Sequence, residues 1–280
     1  MTRVLTLGYS PCPNDTFIFY ALIHAKIRVP GIHLREQLAD VETLNQLALE
    51  SKLDITKISY HALGRLREHY ALLRSGGALG RGCGPLIVAK SGAALEDLKK
   101  GVIAIPGELT TASLLLRLYD PSITNVVVMA FDRIMDAVAR GAVTAGLIIH
   151  ESRFTYPRYK LENLLDLGEW WEKQSGLPIP LGGILGKRSL GKDVLLKVET
   201  GIRESIRYAH AHPDEVLAYC RQHSQEMDAT VMMKHIDLYV NDFSLDLGKD
   251  GLAAVRRLFD EAEAKGIFPH SVKPLLADEQ

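Results

Sequence analysis

The first half of the chain alternates short apolar runs with amphipathic stretches. Residues 4–9 form a run suited to a buried strand. It stops at Ser10-Pro11-Cys12-Pro13, after which Asn14 or Asp15 is placed to cap a helix carrying Phe17, Ile18, Ala21 and Leu22. A second strand over 32–38 leads to Asp40 and a helix with Val41, Leu44, Leu47 and Ala48 on one face. A third strand over 53–58 meets Ser59, a candidate cap for a helix with Ala62, Leu63 and Leu66. The glycine-rich stretch 75–84 and the strand 86–89 read as a linker or hinge, because glycine permits backbone conformations that other residues resist.

A second series follows: a short helix at 95–99, a strand at 102–105, and a helix from Thr110 or Thr111 through Leu118. Then come a strand at 125–131, a helix capped by Asp132 and ended by Gly141, and a strand at 143–149 that delivers His150. Residues 179–185 look extended and read as a return crossing. The remainder is helical, over 194–210, from Pro213, over 232–239 and over 252–265. Strands alternating with helices predict mostly parallel sheets. Two such series joined by a glycine-rich crossing predict an α/β protein of two lobes. The expected division is 1–90 plus 190–280 for the larger lobe and 91–189 for the smaller.

Composition narrows the function classes. The chain has 280 residues, enough for two cores. Lys plus Arg number 33 and Asp plus Glu 34, which gives no electrostatic reason to expect nucleic acid. The cysteines Cys12, Cys83 and Cys220 form no CxxC and read as buried thiols in a reducing compartment. The N-terminal apolar run is too short and too broken by proline for a signal segment. No stretch approaches the roughly 20 apolar residues of a membrane span. The expectation is a cytoplasmic protein with a small-molecule partner and no membrane or nucleic-acid partner. The oligomeric state is left open.

In open α/β sheets ligands bind beyond the carboxyl ends of the strands. Four polar segments fall there: 10–16, 57–60, 107–113 and 150–153. Helix starts bring unpaired N–H groups and partial positive charge, which suit a carboxylate or phosphate. His150 ends an apolar run and, when neutral, can take a proton near pH 7. A hydrogen-bonded structural histidine is the plainer alternative. Glu151 is next to it, but strand neighbours point to opposite faces. His150-Glu151 does not continue into HExxH, because position 154 is Phe154. Cys12 has no obvious histidine partner, and Lys57 reads equally well as a surface lysine. Trp170-Trp171 reads as core or inter-lobe packing.

Longer strings are more specific. SPCPNDTFIFYAL from Ser10, DVETLN from Asp40, SGGALGRG from Ser75 and GLIIHESRFTYPRY from Gly146 resemble the 1,4-dihydroxy-6-naphthoate synthases of the futalosine route to menaquinone. LPIPLGGIL and YVNDFSLDLG fit as well. The resemblance implies a periplasmic-binding-protein-like fold (type II), with two lobes and a central cleft, used as an enzyme. It implies a carbon–carbon lyase that converts cyclic dehypoxanthinyl futalosine to 1,4-dihydroxy-6-naphthoate and dihydroxyacetone without cofactor or metal. By the same resemblance His150 is the base, and Lys57, Ile58, Ser59, Thr110, Thr111 and Ala112 match the ligand-contact segments. Ser10 and Asn14 complete the expected substrate-binding set. The competing readings are a solute-binding protein of the same fold and a sister enzyme such as a chorismate dehydratase.

Overall fold

The computed structural model describes residues 2–224 and 228–280. From the N-terminus the chain forms β1 (Arg3–Tyr9), α1 (Pro13–Ile23), β2 (Ile32–Leu38), α2 (Val41–Leu49), β3 (Ile55–Ser59), α3 (Tyr60–Leu66), β4 (Tyr70–Leu72) and β5 (Ala78–Gly80). It then crosses to β6 (Leu86–Lys90), β7 (Ile103–Ile105), α4 (Thr111–Tyr119), β8 (Val126–Val128), α5 (Phe131–Arg140), β9 (Ala145–Ile148), α6 (Ser152–Thr155), β10 (Leu161–Asp166) and α7 (Leu167–Ser175). The return is β11 (Ile179–Lys187), followed by α8 (Lys192–Ala211), α9 (Pro213–His223), α10 (Ala229–Tyr239), α11 (Asp242–Leu245) and α12 (Gly248–Ala264).

The strands build two sheets. One has the order β2-β1-β3-β11-β4, with β5 also on β11; the other is β10-β6-β9-β7-β8. Two strands therefore lie across the boundaries expected from sequence. Strand β6 belongs to the second sheet although it precedes position 91, and β11 belongs to the first although it precedes 190.

The sheets are mixed rather than mostly parallel. Pairs β1–β2, β1–β3, β7–β8 and β7–β9 are parallel, whereas every pair made by β6, β10 or β11 is antiparallel. The reason lies in the crossings. Strands β1, β3, β7 and β9 run toward the gap between the lobes, and their connecting helices return them to the far side. Strands β6 and β11 start at the gap, having come from the other lobe, so each runs the opposite way. Strand β10 carries the chain back to the gap.

Three apolar clusters hold this arrangement. Helices α1, α8, α9 and α10 cover one face of the first sheet around Phe19, Ile18, Ile202 and Ile236. Helix α5 lays Ile134, Met135 and Val138 on the second sheet. A third cluster runs from Leu44 and Tyr60 in the first lobe to Ile103, Leu114 and Leu147 in the second, through Trp171. The lobes thus share apolar packing, and burying it favours their approach. Trp171 is fully buried, with its Nε1–H donating to Pro178 O at 3.0 Å, while Trp170 meets Tyr119 edge-on.

The two crossings touch. A side chain at Gly84 would come within 2.3 Å of the Gly168 Cα, so the close approach requires glycine. Arg153 fastens the junction from α6. Its guanidinium donates to Gly84 O at 2.5 Å and to Asp166 at 2.6 Å, and Asp166 in turn caps α7 through Gly168 N and Glu169 N. Among the described residues no helix is long and apolar enough to cross a membrane.

Candidate active site

A cavity between the lobes is lined by every residue of the expected set: Ser10, Asn14, Lys57, Ile58, Ser59, Thr110, Thr111, Ala112 and His150. It encloses about 100 Å³, below the roughly 300–1,000 Å³ of small-molecule pockets. The lobes are held in a closed arrangement. Glu42 on α2 accepts from Leu109 N across the gap, and Thr111 Oγ1 donates to Leu181 O at 2.5 Å while accepting from Tyr60 N at 2.9 Å. His61 Nδ1 bonds Thr110 O at 3.3 Å, and burial pushes its pKa down to about 4.

On the first lobe the polar groups converge on Asp15. Helix α1 starts at Pro13 with Cys12 at the N-cap and no side-chain cap, so neither Asn14 nor Asp15 caps it. Both lie in the first turn, where a carboxylate is favoured by the helix dipole. Asp15 accepts from Ser10 N and Ser10 Oγ, from Asn14 Nδ2 at 2.8 Å, and from Lys57 Nζ at 2.9 Å. Lys57 also donates to Gly76 O and is 6% exposed, so it is not a surface lysine. Burial of this cation is balanced by the ion pair and its hydrogen bonds. A single further N–H of the ammonium remains for a ligand.

The helix starts differ in what they leave free. Thr110, not Thr111, is the N-cap of α4, with its oxygen accepting from Ser113 N and donating to Gly107 O. Both threonine hydroxyls are thus engaged. The N–H groups of Thr111 and Ala112 have no partner among the described residues and stand at the positive end of the helix. Ser59 precedes α3 but its side chain makes no cap. Its hydroxyl receives a long contact of 3.4 Å from Asn45, which leaves it available to the cavity.

His150 lies just past β9 with φ of 57°, a left-handed conformation. That costs a non-glycine residue about 1–2 kcal/mol and turns the chain sharply at the strand end. Because of this turn Glu151 does not point away. Cys12, His150 and Glu151 bring a sulfur, a ring nitrogen and a carboxylate oxygen within 4.8 Å of one another. Neither ring nitrogen of His150 is hydrogen-bonded among the described residues. Burial lowers its pKa below the ordinary 6.5, with Glu151 and Asp15 pulling the other way. The ring is therefore uncharged at neutral pH. Cys12 does have a histidine nearby, contrary to expectation. Burial pushes its thiol well above the usual range, which disfavours the thiolate that nucleophilic attack or metal ligation needs.

His235 and Asp15 escaped the reading of the sequence. His235 on α10 stacks parallel to His150, with ring centroids 6.2 Å apart and planes 6° apart. It arrives from the helical return, far along the chain, and no local pattern distinguishes it from a buried amphipathic position. Asp15 carried a signal that was given another use, as a helix cap.

A family profile described as menaquinone biosynthesis matches residues 5–264. The chain belongs to the menaquinone-biosynthesis family. It is 54% identical over 274 residues to the 1,4-dihydroxy-6-naphthoate synthase of Thermus thermophilus, with 98% of this chain and 99% of that protein covered. It is 47% identical over 271 residues to the synthase of the same name from Streptomyces coelicolor, covering 95% of each. A crystal structure of an Archaeoglobus fulgidus protein superposes with a TM-score of 0.89 at 37% identity, covering 95% of this chain and 98% of that one. The alkanesulfonate-binding protein SsuA of Xanthomonas axonopodis pv. citri superposes with a TM-score of 0.72 at 16% identity, covering 98% and 96%. This member of the menaquinone-biosynthesis family thus has the two-lobed periplasmic-binding-protein-like fold, with its cleft at the strand ends where that fold places ligands.

Proposed function

We propose that this protein is a 1,4-dihydroxy-6-naphthoate synthase, a lyase that uses His150 as general base on cyclic dehypoxanthinyl futalosine. The observation that carries the reading is a histidine kept uncharged, with neither ring nitrogen paired among the described residues, lining the same closed cleft as Ser59 and the free N–H groups of α4. Neutral imidazole takes a proton from the substrate. Fragmentation then expels the three-carbon piece as dihydroxyacetone, and the remaining rings become aromatic. Electrons balance without oxidant or reductant, so the reaction needs no redox cofactor. Aromatisation supplies the drive, and the protein's part is orientation, exclusion of water and proton transfer.

The substrate carboxylate pairs with the N–H groups of Thr111 and Ala112, with Ser59 Oγ and the spare Lys57 N–H as further donors. The cavity is too small in the closed form to admit a substrate of this size, so entry requires the lobes to part. Closure then desolvates His150.

The purified protein is incubated with the cyclic substrate, and the naphthoate is measured by chromatography. His150→Ala should bind substrate with similar affinity and turn over at least about 100-fold more slowly. Unchanged turnover would remove His150 from the mechanism. Binding without any conversion by the wild-type protein would favour a solute-binding role.

A further inference from the structure

The state of His235 is dictated by its neighbours. Asn14 Nδ2 donates to the Asp15 carboxylate, so Asn14 Oδ1 is left to accept. It faces His235 Nε2 at 3.0 Å, which therefore carries the ring hydrogen. The other nitrogen, Nδ1, is a bare lone pair. It is buried without a partner among the described residues, in a residue 1% exposed. Glu151 Oε2 lies 3.9 Å away, and it too is buried and without a partner among the described residues. Two acceptors thus stand side by side with no donor for either among the described residues, and of the two His235 lines the cavity. Unsatisfied buried acceptors are costly, so one that lines a cleft marks a place where a ligand brings a donor.

We propose that His235, which lines the cleft, forms a subsite for a hydroxyl group of the substrate, in which His235 Nδ1 is the acceptor and the Glu151 carboxylate stands beside it. The inference rests on the synthase reading, whose substrate carries the polyol portion released as the three-carbon fragment. The donor is a neutral hydroxyl rather than an ammonium group, because the Lys57 cation lines the same cavity. It is not a carboxylate, which has no hydrogen to give. Burial, with His150 and Lys57 nearby, holds the His235 ring well below its ordinary pKa, so the lone pair persists at neutral pH. His235 comes from the first lobe and Glu151 from the second. The acceptor therefore stands where the two lobes meet. Because His235 stacks parallel to His150, the hydroxyl-bearing end of the substrate is set beside the base.

The first test is ¹⁵N NMR of the unliganded protein at pH 7, which reads the tautomer directly. Nδ1 of His235 should appear unprotonated, and a ring carrying Nδ1–H would overturn the assignment. The second is calorimetric binding of the cyclic substrate to the slow His150→Ala protein with and without a change at His235. His235→Phe should weaken binding by about 10-fold or more, and the added ring keeps the packing. His235→Asn, which restores an oxygen acceptor on a shorter side chain, should recover most of that loss. Equal affinities for all three proteins would overturn the subsite. In the wild-type background His235→Phe should act mainly on KM, with kcat changed less than in His150→Ala. If the wild-type protein binds the substrate but leaves it intact, the synthase reading fails while the His235 comparison still decides the subsite. No binding by any of the proteins overturns both.

Discussion

At the scale of the residue, the behaviour of the site's histidines follows from what encloses them. His150, His235 and His61 all lose affinity for protons because burial removes the water that would stabilise their charged forms. For His150 this has a kinetic consequence whose sign is fixed. A general base works when unprotonated, and its folded pKa lies below 6.5. The acid limb of kcat/KM should therefore fall below about pH 6.5, with a level profile through neutrality. A limb centred at pH 7 or above would show that the base is not this desolvated ring. The sequence could nominate His150, since an apolar run ending in histidine at a strand terminus is a local pattern. It could not nominate His235, whose meaning depends on Asn14, some 220 positions earlier.

At the scale of the element, the starts of α1 to α5 and α8 to α10 are readable to within a turn, whereas α6, α7 and α11 are not read from sequence and α12 begins four residues before the expected 252. The role of the side chains at these starts is not readable. Thr110 caps α4 and Asp40 caps α2, as their residue types suggest. Asp132 does not cap α5: it lies in the first turn, and the N-cap is Ala130, which has no side-chain cap. Asn14 and Asp15 have the same cap-like chemistry, yet Cys12 holds the N-cap position of α1, and their side chains serve Lys57 and His235 instead. Capping is decided by one hydrogen bond, and a tertiary partner can outbid it. The short α6 shows the converse. Arg153, two residues after Glu151, binds both inter-lobe crossings and so anchors the turn that presents His150. Removing it leaves the mostly buried Asp166 without its cation. Arg153→Ala should lower stability by about 3 kcal/mol, read as a shift in the urea midpoint. Arg153→Lys should recover only part of this, because a single ammonium lacks the fork that spans Gly84 O and Asp166. In the folded Lys variant kcat should drop more than KM rises. Full stability in Arg153→Ala would show that the crossings are held by packing alone.

At the scale of the whole molecule, the lobes meet through apolar packing and through groups that burial keeps neutral to lower pH than in water. His61 sits at that junction with its pKa held at about 4. The unfolded chain takes up this proton near the ordinary 6.5, while the folded protein resists until about 4. Between those values the unfolded state binds more protons, so stability falls as pH falls through the window. His61 alone contributes up to about 3 kcal/mol of that loss, and His150 and His235 act in the same direction. Urea unfolding followed from pH 7 to about 4.5 should therefore be shallower for His61→Phe than for the wild-type chain. Parallel curves would show that His61 is not what couples acid to unfolding.

What the sequence determined alone is the order of the longer strands and helices (β4, β5, β10, α6, α7 and α11 excepted), the existence of two series with crossings between them, and the segments that reach the cleft. Those depend on short-range periodicity, on turn chemistry at Pro11, Pro13 and Gly141, and on strings long enough to mark a family. The tertiary structure decided the rest. It reversed β6 and β11, since a strand's direction depends on which lobe it enters from. It also closed the crossings on Gly84 and Gly168 and set His235 beside Glu151. Each of these is a contact between residues far apart in the chain, where burial and the pairing of hydrogen-bonding groups act on three-dimensional neighbours, and no local pattern records which neighbours those are.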